Sequence, residues 1–329
     1  MRVVAALGGN ALLRRGETAE AEAQRRNLAR AATTLAELAL DHELVLTHGN
    51  GPQVGLLALQ AEAYERVRPY PFDVLVAESE GMVGYMLDQT LGNLLPQRPI
   101  ATLLTQVVVH ESDPAFAHPT KPVGPVYSAK EATRLAAERG WSVAPDGSYW
   151  RRVVPSPQPQ RIVELATIRL LVDAGVLVIC GGGGGMPVTE RQGVLRGVEA
   201  VIDKDLAASL LAAELGADAL LLLTDVPGVQ QQFGSPDARP IAEVTTDELR
   251  KMDLPAGSMR PKAEAACRFV ERTGRLAVIA ALDDAALALD GYAGTRVVTP
   301  TATAAAAPPG PRGSVRRRQP RRPELPSLG

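Results

Sequence analysis

Cysteine is nearly absent: Cys180 and Cys267 are the only two in 329 residues. Two thiols cannot build a disulfide framework, so a reducing compartment is the default. Aromatic residues make up 4% of the chain, and neither sign of charge is in excess, the net charge being −2. A dedicated nucleic-acid binder usually carries a basic surplus, which is missing here. Long apolar runs are missing too, since none reaches the ~18 residues needed to span a bilayer. The N-terminal stretch MRVVAALGGNALLRR is broken by Gly8, Gly9 and Asn10, with no small-residue cleavage site at a plausible distance. The expectation is a cytoplasmic enzyme with no membrane and no nucleic acid among its partners. Lysine is also scarce: the 35 basic residues are 30 Arg and only 5 Lys.

Several signatures of chemistry are absent as well. No loop reads G-x-x-x-x-G-K-[ST] or G-x-G-x-x-G, so neither a P-loop nor a dinucleotide fingerprint is present. His42, His48, His110 and His118 show no metal-ligand spacing, so no metal-binding residues are expected. There is no G-x-S-x-G elbow, and Cys180, just before a glycine run, reads as a small buried hydrophobe.

What is present begins with a 46% apolar content, ample for a buried core. At ~150 residues per domain the length allows one large or two ordinary domains. Continuous apolar runs at Arg2–Leu7, Glu43–Thr47, Ile100–Val109, Val176–Cys180, Ala219–Thr224 and Leu276–Leu282 read as strands buried on both faces. Helical patterns lie between them, as with Leu28, Ala31, Ala32, Leu35, Leu38 and Ala39, so the order implies an α/β sandwich. From about 110 to 160 the rhythm breaks into a Pro-rich excursion holding PTKPVGPVYS, the turn PDGS and the short strand YWRRVV. Its placement between two strands is that of a small lid. Residues 1–300 are expected to form the folded domain. Residues 301–329 carry six Pro and six Arg against one Glu, a net charge of +5 that leaves −7 on the rest. Such a tail is expected to be disordered, either an arm for acidic partners or a dispensable extension.

Glycine gathers at strand ends: Gly8–Gly9–Asn10, then His48–Gly49–Asn50–Gly51, then Gly181 to Gly185. Carboxyl ends of parallel strands form the ligand crevice, and glycine lets the backbone approach a phosphate closely. Three lysines could supply the charge. Lys204 lies in Val201–Ile202–Asp203–Lys204–Asp205, Lys262 in Gly257–Ser258–Met259–Arg260–Pro261–Lys262, and Lys121 in the excursion. Ammonium groups and backbone donors are what a phosphoryl-transfer transition state needs. Lys130 and Lys251 read as helix-surface residues.

These stretches together resemble the carbamate kinases, a branch of the amino-acid-kinase family. The similarity is carried by ALGGNAL (6–12), THGNGPQVG (47–55), ESEGMVGY (78–85), PTKPVGPVY (119–127) and WRRVVPSP (150–157). It continues through GGGGGMPV (181–188), GVEAVIDKDLAA (197–208), LLTDVPGV (222–229) and GSMRPKAEAA (257–266). The resemblance implies a three-layer αβα sandwich around a mainly parallel, about eight-stranded open sheet, with the excursion as a small protruding subdomain. It implies a homodimer that catalyses reversible transfer between ATP and carbamate, giving ADP and carbamoyl phosphate with Mg²⁺. The usual setting in the family is ATP synthesis in arginine or purine catabolism.

By the same resemblance Lys204 and Lys262 hold the transferring phosphoryl group, Asp205 orients them, and Lys121 reaches in from the subdomain. Gly8, Gly9, Asn10, Gly49, Asn50 and Gly51 surround carbamate and the phosphoryl group. Gly182, Gly183, Thr224, Asp225, Val226, Met259 and Lys262 line the nucleotide side. Arg260 departs from the family, which usually has a small residue there, and the basic tail is outside the family pattern. Two rival readings are a same-fold enzyme acting on another carboxylate and a regulator that binds nucleotide without transfer.

Overall fold

The computed structural model describes residues 1–9, 12–13, 17, 20–64, 66–235, 237–255 and 257–300. The expectations for Asn10 and for the 301–329 tail therefore lie outside the described residues. Eight strands form the large sheet: β1 (Arg2–Leu7), β2 (Glu43–His48), β3 (Ile100–Thr102), β4 (Leu177–Ile179), β5 (Ala219–Thr224), β6 (Glu243–Thr245), β7 (Leu276–Ala281) and β8 (Thr295–Val298). Their order is β6-β8-β7-β5-β1-β2-β4-β3. Pairing is parallel from β3 through β7, and β8 runs antiparallel to β7. The helices among the described residues are α1 (Ala21–Asp41), α2 (Gly51–Ala63), α3 (Phe72–Leu94), α4 (Ala129–Arg139), α5 (Leu165–Asp173), α6 (Lys204–Leu215), α7 (Thr246–Lys251), α8 (Met259–Thr273) and α9 (Ala285–Leu289).

Strand alternation sorts the apolar runs onto two faces. Val4, Ala6, Val45, Val178, Leu220, Leu222 and Ile279 face α5, α6 and α8, packing on Ile168, Leu211 and Phe269. Val3, Ala5, Leu46, Ile179, Leu221 and Val278 face α1, α3 and α9, packing on Leu28, Leu87 and Ala285. The result is the three-layer αβα sandwich around a mainly parallel sheet.

The run Ile100–Val109 is not one strand. Ile100–Thr102 stays at the edge of the large sheet, whereas Gln106–Val109 joins a second, four-stranded sheet with Met186–Arg191, Val194–Gly197 and Pro159–Ile162. The break falls where Leu104 turns outward and Thr105 uses its Oγ1 and its carbonyl to accept from the Gly181 and Met186 N–H groups. Two short strands at one end of the sheet, β6 at its edge and β8 between β6 and β7, carried too little apolar sequence to stand out. The stretch from 121 to 154 forms a separate three-stranded sheet, Lys121–Tyr127, Tyr149–Val154 and Ser142–Asp146, crossed by α4. Its hairpin turns at Gly147, φ 63°, within the expected PDGS turn.

Candidate active site

At the carboxyl ends of β1, β2 and β5 the loops draw together. The Gly8 N–H donates to the Leu223 carbonyl at 3.0 Å, and the Gly49 N–H donates to that of Leu7 at 3.1 Å. A Cβ on Gly49 would meet Gly9 backbone at 3.2 Å and the Lys204 Cε at 3.4 Å, so only a bare backbone fits beside that side chain. These loops floor a cavity of about 1030 Å³, at the upper end of the roughly 300–1,000 Å³ typical of ligand pockets.

Two helices bring the lysines into it. Asp203 caps α6, its Oδ1 accepting from the Asp205 N–H at 2.9 Å and the Leu206 N–H at 3.3 Å. Lys204 and Asp205 thus stand in the first turn, facing the strand ends. The small residues Ala208 and Ala212 of α6 and Ala265 and Ala266 of α8 bury their faces in one cluster, so the two helices pack closely. Ser209 Oγ adds a 2.8 Å hydrogen bond to the Ala265 carbonyl. This packing delivers Lys262 to Asp205.

The Lys204 ammonium donates to Asp205 Oδ1 at 2.6 Å, and Lys262 donates to Oδ1 and Oδ2 at 3.1 and 3.0 Å. Burial opposes the carboxylate charge, but the two ammoniums overrule it and hold Asp205 well below the usual carboxylate range. Burial also draws Lys204 below its ordinary value, with Asp205 opposing. Two cations on one anion leave this cluster with a surplus positive charge. On the opposite wall Lys121 donates to Asp203 Oδ2 at 2.7 Å.

The first-turn donors of α6 are taken by Asp203, so that helix end offers an anion less than its position suggests. Helix α2 differs: no side chain caps it, Pro52 stands in its first turn, and Gly51 and Pro52 line the cavity. Its N-terminus is open toward an anion, as is that of α8, whose Ser258 makes no capping side-chain bond and lines the cavity with Gly257.

Behind the floor, Asn50 Nδ2 donates to Ser79 Oγ at 2.8 Å, and the Gly181–Gly185 loop packs on it. A Cβ on Gly183, whose φ is 68°, would land 2.1 Å from Asn50 Nδ2. The Glu80 carboxyl accepts from the N–H groups of Gly182 and Thr105 at 2.8 and 3.2 Å, and burial pushes it up to about 8. His48 is fully buried, with Nδ1 3.0 Å from the Gly49 carbonyl, and burial lowers it to about 4.

Sequence comparison places these observations in a lineage. A profile described as the amino acid kinase family matches residues 1–281. The carbamate kinase of Rhizobium meliloti (strain 1021) is 55% identical over 288 residues, 86% of this chain and 89% of that protein. The carbamate kinase of Haemophilus influenzae is 51% identical, covering 92% of this chain and 98% of its own. Among solved structures, the carbamate kinase from Giardia lamblia bound to AMP-PNP superposes with a TM-score of 0.83 at 42% identity, covering 91% of this chain and 98% of that one.

The chain belongs to the amino acid kinase family.

Within this amino acid kinase, Gly8, Gly9, Gly49, Asn50, Gly51, Lys121, Gly183, Lys204, Asp205, Thr224, Asp225 and Lys262 all line this cavity. Gly182 does not; a Cβ there would run into His48 and Glu80. Val226 and Met259 are also absent from the lining, Met259 being packed against the core beneath α8. Arg260 points outward, 58% exposed and 3.4 Å from Asp253, so it neither crowds the cavity nor adds charge to it. Sequence reasoning gave no role to Asp203, whose capping position just before Lys204 was the available signal. It also missed Arg30, Thr33 and Thr34, which α1 presents to the cavity. Both cysteines are buried, and burial raises both thiols, so neither is a nucleophile.

Proposed function

We propose that the chain is a carbamate kinase, transferring a phosphoryl group reversibly between ATP and carbamate to give ADP and carbamoyl phosphate. The observation that carries this reading is the Lys204–Asp205–Lys262 cluster on the floor of the cavity. Asp205 holds both ammoniums at fixed positions with one positive charge to spare. A phosphoryl group in flight spreads charge over three oxygens, and preset cations stabilise it without reorganising. Gly8, Gly9, Asn10, Gly49, Asn50 and Gly51 hold carbamate, and Lys121 approaches the same group from the three-stranded sheet. Gly183, Thr224 and Asp225, with Lys262, serve the nucleotide. The carbamate oxygen attacks directly, with no covalent enzyme intermediate.

Mg²⁺ enters as part of the nucleotide substrate. An ion carried on the phosphates needs few ligands from the protein. We read residues 1–300 as the kinase domain, the segment of about 110–160 as its subdomain, and the physiological direction as ATP formation. A homodimer is supported by the edge of the sheet, where Met82 and Tyr85 of α3 and the neighbouring Leu104 are exposed together. No helix among the described residues is long and apolar enough to cross a membrane.

The test is ATP formation from ADP, Mg²⁺ and carbamoyl phosphate, with acetyl phosphate as control donor and Lys204→Ala alongside. The expected result is carbamoyl-phosphate-specific ATP formation that falls at least roughly a hundredfold in the variant. ADP binding without ATP formation would redirect the reading to another acceptor or to a regulatory role.

A further inference from the structure

The three-stranded sheet that carries Lys121 touches α2 and α3 through a joint outside the cavity lining. The strand pair Lys121–Tyr127 and Tyr149–Val154 sets Val123 opposite Arg152, two residues along from Lys121. The Arg152 guanidinium lies 4.6 Å from the ring centre of Trp141, just before the strand Ser142–Asp146 of its own sheet, and 4.7 Å from that of Phe72, the first residue of α3. It also pairs with Glu62 of α2 at 3.5 Å. Arg139 of α4 closes on the same Glu62 and stacks on the other side of the cluster, 5.1 Å from the Trp141 ring centre. Glu62 is 14% exposed and Arg152 20%, so these contacts are largely shielded from water.

Beside this stack the two backbones meet. A Cβ on Gly55 of α2 would stand 2.7 Å from Gly124 Cα, and Arg151, facing the other way on its strand, fixes the Gly124 carbonyl with Nε and Nη2 at 3.2 and 2.6 Å. The glycine contact lets the sheet come close but supplies no directional bond. The Arg152 stack does supply one.

We infer that Arg152 is a positioning residue for Lys121. Its guanidinium bridges Trp141 of the sheet to Phe72 and Glu62 of the body, and so fixes where the Lys121 ammonium stands in the cavity. Lys121 hangs from the strand next to this joint and reaches Asp203 across the cavity. A planar cation between two rings holds both distance and tilt, which a lysine ammonium at the same place would not. The consequence for catalysis rests on the carbamate kinase reading; the consequence for Lys121 placement does not.

Two measurements test it. First, surface lysines are labelled with a small acylating reagent and the sites quantified by mass spectrometry. Arg152→Met raises Lys121 labelling severalfold, and the exposed Lys130 of α4 serves as the internal control that stays constant. Glu62→Gln, which keeps both rings and the guanidinium, gives a smaller rise in the same direction. Unchanged Lys121 labelling in both variants overturns the inference whatever the substrate is.

Second, Arg152→Met raises the KM for carbamoyl phosphate about tenfold, the order expected from losing a shielded cation–π bridge. The KM for ADP stays within about twofold, and Arg152→Lys recovers only part of the loss. In the Lys121→Ala background Arg152→Met adds less than about twofold, because nothing remains for it to position. Equal effects with and without Lys121, or a loss confined to ADP, overturn it. If the unsubstituted chain makes no ATP from carbamoyl phosphate while Arg152→Met still exposes Lys121, the substrate reading fails and the positioning role stands.

Discussion

Replacing Asp205 by Asn removes the anion shared by two buried ammoniums. The two ion pairs it makes span 2.6 Å to Lys204 and 3.0 Å to Lys262. Each attraction is about 6 kcal/mol by Coulomb's law at an effective dielectric near 20, before desolvation is counted. Desolvation of the three groups consumes most of that gain, and removing one partner of a buried pair costs about 3–5 kcal/mol net. At roughly 2 °C per kcal/mol for a chain of this size, Asp205→Asn lowers the melting temperature by about 6–10 °C at pH 7.

The pH dependence gives the prediction its shape. The folded carboxyl lies below its ordinary value of 3.8, so the unfolded chain binds more protons as the solution turns acid. The stabilisation is therefore complete above that value and fades as pH falls through the folded one. At high pH the variant recovers, because its two facing ammoniums lose a proton more readily than in the unfolded chain. Thermal unfolding of both proteins from pH 3 to 10 measures the gap. It should be widest near neutrality and narrow at both ends. A gap below about 1 kcal/mol at pH 7, or one that persists undiminished in acid, would refute the account of Asp205 as the shared anion.

Gly183→Ala combines a left-handed φ of 68° with a Cβ 2.1 Å from the Asn50 amide; it should cost about 2 kcal/mol or more and displace Asn50, seen as lower stability and turnover together. Glu80, raised to about 8, binds a proton in the folded state that the unfolded chain has released, so stability falls as pH climbs from 4.5 to 8. Glu80→Gln should flatten that decline, which for one group is at most about 1.4 kcal/mol per pH unit, as read by urea unfolding at several pH values. Arg260→Ala, acting on an exposed pair, should leave stability within about 0.5 kcal/mol and turnover within about twofold; a larger loss of turnover would place Arg260 at the nucleotide after all.

The layered fold and the strand-end loops of the cavity are legible in the residue pattern alone. Continuous apolar runs at β1, β2, β5 and β7 specify strands covered on both faces, because only a sheet buried between two helical layers tolerates such runs. Glycine at the ends of β1 and β2 marks where the backbones must pass closely, and the few retained lysines include all three that face the cavity. Periodicity is a local property, so these features could be read directly. The short strands β6 and β8 could not, since three or four residues hold too little pattern.

Which side chains meet is a matter of three-dimensional packing. Asp205 joins Lys262 across 57 residues, and Asp203 joins Lys121 across 82, because helix packing and sheet docking set those distances. The same is true of Arg260, which shares a helix turn with Lys262 yet faces solvent, and of Gly182, which lies in the glycine run yet faces His48 and Glu80. Neighbours in sequence diverge because successive side chains leave a helix about 100° apart, whereas distant ones converge when strand ends gather at one edge of a parallel sheet.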